Sequence, residues 1–239
     1  MRTMIYIGFG LAVVGGLLLA AAGPAYKADV LGLRTAFALL RWAAYGGIGG
    51  ALASLAGLAV VRPRGGPLLV LGLLAVAIGA LAAYVPWRWR EQARRVPPIH
   101  DITTDVEHPP AFDAILPHRA DAPNPAEYGG PDIAAQQREA YPDVRPLEVA
   151  APPGMVFRRA LAVARDMGWE IVAADSATGR IEATATTRWF GFKDDVVVRV
   201  TATAGGSRVD VRSVSRVGRS DVGANAARIR EYLARLDGG

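Results

Sequence analysis

Long apolar runs without charged residues dominate the first third of the chain. No charged residue falls between Thr3 and Tyr26, between Trp42 and Val61, or between Gly65 and Trp87. A helix rises about 1.5 Å per residue, so each run is long enough to cross a hydrocarbon layer of about 30 Å. The pattern predicts a membrane domain of residues 1–91, with three transmembrane helices over about residues 4–25, 42–61 and 66–87.

The last third of the chain alternates apolar and polar residues with the period of β-strands. Four such runs, separated by turns, cover residues 169–174, 180–188, 196–203 and 208–216. One helical pattern precedes them at residues 155–167, and another follows from Ser220 or Asp221, either of which is a good N-cap. Because one sheet face is apolar and the other polar, both helices are expected on the apolar face. The prediction is a two-layer α+β domain over residues 151–239: helix, four-stranded antiparallel meander, helix.

Residues 92–150 lie between these parts and are rich in Pro and Asp, with little periodicity except a short helix predicted near Ile133–Ala140. Residues 96–150 carry three Arg against ten acidic residues, whereas residues 151–239 carry 14 Lys and Arg against ten. The opposite net charges favour an acidic strap, residues 92–150, that packs on the soluble domain. The alternative is a solvated linker.

The net charge of +5 does not indicate a nucleic-acid partner. Residues 1–91 carry eight Lys and Arg against two acids, while residues 92–239 carry 19 against 20, so the excess positive charge belongs to the membrane domain. A nucleic-acid-binding domain needs its cations on the soluble face. The chain has no Cys, and the spacing of His100, His108 and His118 matches no ligand pattern, so we expect neither a metal nor a cofactor.

Three arginines surround the predicted start of the last helix, and a helix N-terminus favours anions. The candidate ligand-binding residues are Arg212, Ser215, Arg216, Arg219, Ser220 and Asp221, together with His100 and Asp101 of the strap. The structural interpretation, which we favour over a bound anion, is that Asp residues of the strap, or Asp194 and Asp195, pair with these arginines. A second hypothesis makes the protein a hydrolase-like enzyme that uses His100 with a serine of the 213–220 segment, although no residue is assigned as catalytic.

Three aromatic residues, Trp189, Phe190 and Phe192, lie between two predicted strands, flanked by Arg188 and Lys193. They either cover the sheet edge or the strap as part of the core, or form an exposed surface that contacts the bilayer or a partner.

Three ordered motifs resemble one known family: residues 99–105 with 109–112, residues 137–143, and residues 212–223. The family is domain of unknown function fourteen-ninety-nine, and the resemblance covers about residues 96–237. It implies a domain of bacterial envelopes and plastids without an established activity. It also implies that the strap is part of the domain and that the domain is periplasmic or lumenal. Many relatives resemble lipoproteins with a lipid-bearing cysteine, and this chain departs from them in having no cysteine and three spans.

The flanking charges and the resemblance disagree about orientation. Three cations lie on the side of the N-terminus (Arg2, Arg62, Arg64) and seven on the domain side (Lys27, Arg34, Arg41, Arg88, Arg90, Arg94, Arg95), which favours a cytoplasmic domain. The resemblance favours the periplasm, and we expect a multi-pass protein of the bacterial inner membrane with a periplasmic domain. The leading functional hypothesis is a non-enzymatic module that binds an unidentified envelope protein or an anionic small molecule. A third hypothesis is a domain that binds the bilayer surface.

Overall fold

The chain forms two compact units in a computed structural model that describes residues 2–63 and 65–238. Arg64, counted among the flanking cations, lies outside the described residues, as do Met1 and Gly239. One unit contains the residues up to Gln92 together with Arg188–Gly191. The other contains Ala93–Thr187 and the chain from Phe192 onward.

Three long helices make up the first unit: α1 (Arg2–Lys27), α2 (Leu33–Val61) and α3 (Pro67–Arg95). Each is long and apolar enough to cross a membrane. Leu17, Leu52 and Leu81 are between 58% and 64% exposed, whereas the buried positions are mostly Gly and Ala. An apolar exterior around an interior of small residues is the arrangement expected of helices packed in lipid.

Glycines bring these helices together closely. A Cβ atom at Gly47 of α2 would lie 2.7 Å from the carbonyl oxygen of Gly79 in α3, and one at Gly15 of α1 would lie 2.8 Å from that of Ala43 in α2. Those distances leave no room for a side chain at Gly15 or Gly47.

Two of the helices are longer than the predicted spans. Helix α2 begins at Leu33 rather than at residue 42, and α3 continues to Arg95 rather than ending at residue 87. The predicted limits followed the charged residues, but Arg is a good helix former, so helical backbone continues beyond the apolar run.

Six antiparallel strands form the sheet of the second unit: β1 (Asp101–Thr103), β2 (Leu147–Val149), β3 (Glu170–Asp175), β4 (Arg180–Thr186), β5 (Lys193–Thr203) and β6 (Gly206–Ser215). Their order is β1-β6-β5-β4-β3, and β2 also pairs with β6. The α+β prediction is confirmed, but the number of strands is six, not four. The two additional strands come from the strap and have three residues each, which is too short to show a period of two.

One face of the sheet is covered by α5 (Pro153–Asp166) and α6 (Ala224–Asp237). The core on this face includes Val198, Val209, Val211 and Ile229, each no more than 1% exposed. Trp169 stacks on Tyr232 with ring centroids 4.9 Å apart. Tyr232 donates a hydrogen bond of 2.9 Å to the carbonyl oxygen of Ala160, which joins α6 to α5.

The strap also contains a 3-10 helix, Leu116–Arg119, and α4 (Pro131–Ala140). The buried side chain of Gln137 in α4 accepts a hydrogen bond from the backbone N–H of Thr103, at 2.9 Å, and donates one to its carbonyl oxygen, at 2.6 Å. The Gln137 side chain thus bonds to both backbone groups of Thr103 in β1, as a residue of a neighbouring strand would.

Candidate functional site

The second face of the sheet carries polar and charged side chains that alternate with the apolar side chains of the first face. They include Glu182 and Thr184 of β4, Asp195 of β5, Asp210 and Arg212 of β6, and Arg216 directly after β6. A polar face of an antiparallel sheet usually contacts solvent. Here Glu182 and Asp195 are 0% exposed and Arg212 is 2% exposed. We call these residues and their strap partners the charged layer, which residues 104–128 of the strap cover.

Arg212 occupies the centre of the charged layer. Its Nε and Nη2 atoms donate to the two carboxylate oxygens of Asp101 at 2.9 and 2.8 Å, a bidentate pair. It also donates to the carbonyl oxygens of Pro110, at 3.2 Å, and Ala126, at 2.7 Å. Burial raises the pKa of Asp101, and the hydrogen bonds and charge of Arg212 act against that rise. Two of the candidate ligand-binding residues, Arg212 and Asp101, therefore satisfy each other.

Aromatic rings enclose this pair. The guanidinium carbon of Arg212 lies 5.0 Å from the ring centroid of Phe112 and 5.5 Å from that of Tyr128, distances typical of cation–π contacts. Burial raises the pKa of Tyr128 to about 12. Phe112 continues into a small apolar cluster with Ile115, Val197 and Val214, which fixes the strap between the charged groups.

Asp195 is the second centre of the layer and serves two arginines. Arg119 of the strap donates to Oδ2 at 2.6 Å, and Arg216, which directly follows β6, donates to both carboxylate oxygens at 2.8 and 2.9 Å. Thr184 donates its hydroxyl to Oδ1 at 2.9 Å. Arg216 also donates to the carbonyl oxygen of His118, at 2.6 Å. Sheet and strap are thus joined through one buried carboxylate.

Glu182 anchors a different part of the strap. Its carboxylate accepts the backbone N–H groups of Asp113, at 3.0 and 3.1 Å, and Ile115, at 2.9 Å, just before the 3-10 helix. Arg180 donates to the same carboxylate at 3.1 Å and to the carbonyl oxygen of Ala111 at 2.9 Å. The strap backbone itself therefore satisfies a buried charge of the sheet.

The edge of the layer is a partly exposed network of two carboxylates and two arginines. Arg199 and Arg208 each bond to both Asp105 of the strap and Asp210 of β6, at 2.9 to 3.3 Å. Partial burial raises the pKa of Asp105, but the backbone N–H groups of His108 and Glu107 and the charges of Arg208 and Arg199 outweigh it, so its pKa is lowered. Asp105 is ionised and bonded at ordinary pH.

A second polar cluster lies at the start of α6, on the first face of the sheet. The N-cap of α6 is Gly223, in the left-handed conformation, rather than Ser220 or Asp221 as expected. Asp221 lies just before it and accepts the backbone N–H groups of Gly223, at 3.0 Å, and Asn225, at 2.6 Å, and burial raises the pKa of Asp221. Asn225 is 0% exposed and donates to the carbonyl oxygen of His100 at 2.9 Å and to the Ser215 hydroxyl at 3.0 Å.

The serine hydroxyls of this cluster are engaged in structural hydrogen bonds. Ser213 donates to the side-chain oxygen of Asn225 at 2.7 Å and accepts from Arg228 at 2.9 Å. Arg228 in turn pairs with Asp194 at 2.6 Å. Ser220 lies 3.4 Å from the carbonyl oxygen of Pro97. Within the described chain, the His100 imidazole makes no hydrogen bond to any of these serines. The structure therefore does not bring together the hydrolase-like pair considered from the sequence.

Arg219 differs from the other candidate arginines because it is exposed, and no carboxylate among residues 2–63 and 65–238 pairs with it. The candidate ligand-binding residues thus separate into three locations: the charged layer (Asp101, Arg212, Arg216), the buried cluster at α6 (Ser215, Asp221, with the His100 backbone), and the surface (Arg219, with Ser220 partly buried).

Trp189 and Phe190 lie in the turn between β4 and β5, and we call them the aromatic tip. They belong to the first unit. Phe190 is 1% exposed and packs against Tyr26, Phe37 and Trp89, with ring centroids 5.8 to 5.9 Å apart. Trp189 contacts Trp89 edge-on at 5.1 Å. Phe190 is therefore buried by helix residues of its own unit, and it neither covers the sheet edge nor forms an exposed surface. Phe192 is partly buried in the second unit.

The profile of one protein family, described as "Protein of unknown function (DUF1499)", matches residues 101–236, more than half of the chain. The chain belongs to this family. The matched DUF1499 region begins at β1 and extends into α6, so it includes most of the strap as well as the meander. The family description assigns no activity to the DUF1499 region. No curated protein matches the chain significantly.

Several buried and hydrogen-bonded residues of the DUF1499 region were not predicted from the sequence as candidate site residues. They are Arg119, Glu182, Asn225 and Arg228, which pairs with Asp194. A signal existed for the sheet residues, because acidic positions on β4 and β5 alternate onto the same face as the arginines of β6. No local pattern marks Arg119, whose partner Asp195 lies 76 residues away. Among the described residues, no group of three His, Cys, Asp or Glu is placed to hold a metal ion.

Proposed function

We propose that the protein is a membrane-anchored envelope protein whose DUF1499 region is a non-enzymatic interaction module. The observation that carries the proposal is that, apart from the exposed Arg219, the polar groups which resemble a catalytic or ligand site bond to other groups of the domain. Arg212 is paired with Asp101, Arg216 is paired with Asp195, and the hydroxyls of Ser213 and Ser215 are bonded to Asn225. What remains for function is the outer surface of the domain.

An envelope protein suits this surface better than an anionic small molecule as the partner. The arginines that suggested an anion site have their donors occupied, which leaves Arg219 as the exposed member. A cleft of about 290 Å³ lies near the start of α6, but its arginine, Arg228, is already paired with Asp194.

The experiment that tests the module is photo-crosslinking of the full chain in native membranes, from probes at exposed positions such as Arg219 and Ala204. A saturable crosslink to one envelope protein is expected. Crosslinks to lipid alone at every position would contradict the proposal. The hydrolase alternative is tested separately with a fluorophosphonate probe, and labelling that Ser213→Ala or Ser215→Ala abolishes would favour an enzyme.

We place the protein in the bacterial inner membrane with its domain in the periplasm. The three apolar helices support the membrane location, and the periplasmic or lumenal domain implied by the family resemblance of the sequence motifs favours the side. The chain has no cysteine, so a single Ala204→Cys change in the exposed β5–β6 turn gives one labelling site. We expect it to react with a membrane-impermeant maleimide in intact spheroplasts. Labelling only after lysis would place the domain in the cytoplasm, as the flanking arginines favour.

A specific observation also supports the bilayer-surface alternative. Trp189, which is only partly buried, contacts Trp89 near the end of an apolar helix, and Arg188 beside it is exposed. Aromatic and basic residues at that position are typical of a membrane interface.

A further inference from the structure

The close glycine contacts between the helices fix the relative depth of residues in the first unit. Gly47 of α2 meets Gly79 of α3. Trp42 is five residues from Gly47 and Tyr84 is five residues from Gly79, toward the same end of the bundle, so both lie about 7.5 Å beyond the contact. Trp87 lies about one helical turn farther. These residues are between 49% and 63% exposed and mark the end of the apolar surface.

The aromatic tip lies at the same depth. Gly15 of α1 meets Gly47, and Gly23, eight residues farther along α1, meets the Trp189 side chain. Eight residues correspond to about 12 Å, which places Trp189 level with Trp87.

Four exposed arginines lie at or just beyond this level. Arg41 precedes Trp42, Arg88 and Arg90 flank Trp89, and Arg188 precedes Trp189. We call these four arginines the headgroup collar. No carboxylate among the described residues pairs with any of them, in contrast to the arginines of the charged layer. The headgroup region extends about 5–7 Å beyond the hydrocarbon, and the long arginine side chains reach through it.

We propose that the headgroup collar binds the phosphate groups of anionic phospholipids, and this rests on the proposed membrane anchoring. Guanidinium groups bind phosphate oxygens through two parallel hydrogen bonds. The tryptophans beside the arginines hold them at the interface. The collar should prefer anionic to zwitterionic lipid. The positive choline or ethanolamine group of a zwitterionic headgroup repels the four arginines, and phosphatidylglycerol has no such group. Each arginine near an anionic surface contributes about fivefold in affinity.

The test measures lipid retained on the purified full chain by native mass spectrometry, in neutral detergent titrated with phosphatidylglycerol or phosphatidylcholine. The collar variant replaces Arg41, Arg88, Arg90 and Arg188 with Gln. The control variant makes the same charge change at four exposed arginines of the second unit: Arg138, Arg145, Arg158 and Arg165. Wild type and control should retain phosphatidylglycerol at least tenfold better than phosphatidylcholine, and the collar variant should lose that preference. Equal retention of both lipids by the wild type, or equal loss in both variants, would overturn the proposal.

Membrane anchoring is measured independently by carbonate extraction of native membranes. The wild type and both variants should stay in the membrane pellet, because the apolar helices, not the collar, provide the anchor. Release of the wild type would refute the anchoring itself, whatever the lipid preference in detergent. Retention in the pellet without lipid preference would refute the collar alone.

Discussion

The two faces of the sheet in the second unit are buried by opposite means. On the first face, α5 and α6 cover Val, Ile and Ala side chains, and burial of apolar area is favourable wherever shapes fit. On the second face, an irregular strap covers arginines and carboxylates. Removing charges from water is costly, so this face is stable only because nearly every charge meets a partner in good geometry.

The difference teaches how an irregular segment acquires a defined position. An apolar surface accepts many arrangements of similar volume, whereas the charged layer accepts the one in which the strap residues Asp101 and Arg119 reach their partners on the sheet. Backbone groups take part as well, since Glu182 holds the N–H groups of Asp113 and Ile115. The strap therefore has a fixed path although most of it is neither helix nor strand.

The largest effect is expected from removing the carboxylate that two arginines share. Asp195→Ala leaves Arg119 and Arg216 buried without their partner, so the free energy of unfolding should fall by about 3–5 kcal/mol. Pulse proteolysis of the full chain in detergent across a urea series measures this. Asp121→Ala, an exposed strap residue, is the control and should change stability by no more than about 0.5 kcal/mol. Equal stability of the two variants would show that the charged layer does not hold the strap.

The apolar face should respond to a different kind of change. Ile229 is 0% exposed in α6, so Ile229→Ala creates a cavity and should cost about 2–5 kcal/mol, near 3. The comparison predicts different patterns of local opening. In Asp195→Ala, hydrogen exchange should give residues 104–128 an opening free energy well below the free energy of global unfolding. In Ile229→Ala, the strap should stay as protected as the rest of the domain. Identical patterns in both variants would contradict the distinction between the faces.

The first face could be predicted from the sequence because its pattern is local. Val196, Val198 and Val200 alternate within β5, and the 3.6-residue period marks α5 and α6, so meander and helices follow without long-range information. Strands β1 and β2 could not be predicted, since three residues carry no periodicity and their partner β6 is distant in the chain.

The second face shows why a site is harder to predict than a fold. The alternation of polar residues in a strand is the same whether water or another segment covers that face. The burial of Glu182 and Asp195 could therefore not be predicted from the sequence pattern. The opposite charges of strap and domain did indicate that the two pack together. Which carboxylate meets which arginine depends on the path of the strap, and that path is set by tertiary contacts such as Phe112 with Val214.

A paired replacement sharpens the comparison by making the charged face apolar. Arg212→Met or Asp101→Leu alone leaves one buried charge without its partner, and each should lower the free energy of unfolding by about 3–5 kcal/mol. The double variant removes both charges and should cost only about 1–2 kcal/mol, mainly because the carbonyl oxygens of Pro110 and Ala126 lose a donor. A double-mutant cycle from urea unfolding measures the coupling. Additive losses would mean that the two side chains do not act as a pair.

The smallest effect is expected at the exposed edge of the layer, and it appears as pH dependence. The pKa of Asp105 is lowered in the folded chain, because backbone N–H groups and arginines outweigh its partial burial. The unfolded chain therefore binds a proton at this carboxylate at higher pH, near the ordinary value of about 3.9. The stabilisation by Asp105 is present above that pH and is lost as pH falls through the lower folded-state pKa.

Asp105→Asn should accordingly flatten the acid limb of the stability curve below about pH 4, the region in which Asp105 titrates. Urea unfolding of wild type and variant at pH 6, 4 and 3 measures this: the difference between them should be largest at pH 6 and shrink toward pH 3. Asp121→Asn should give a curve parallel to that of the wild type. The buried Asp101 acts in the other direction, since its raised pKa makes the folded chain bind its proton first. A difference for Asp105→Asn that stays constant with pH would mean that hydrogen bonding alone, without the negative charge, holds this edge of the strap.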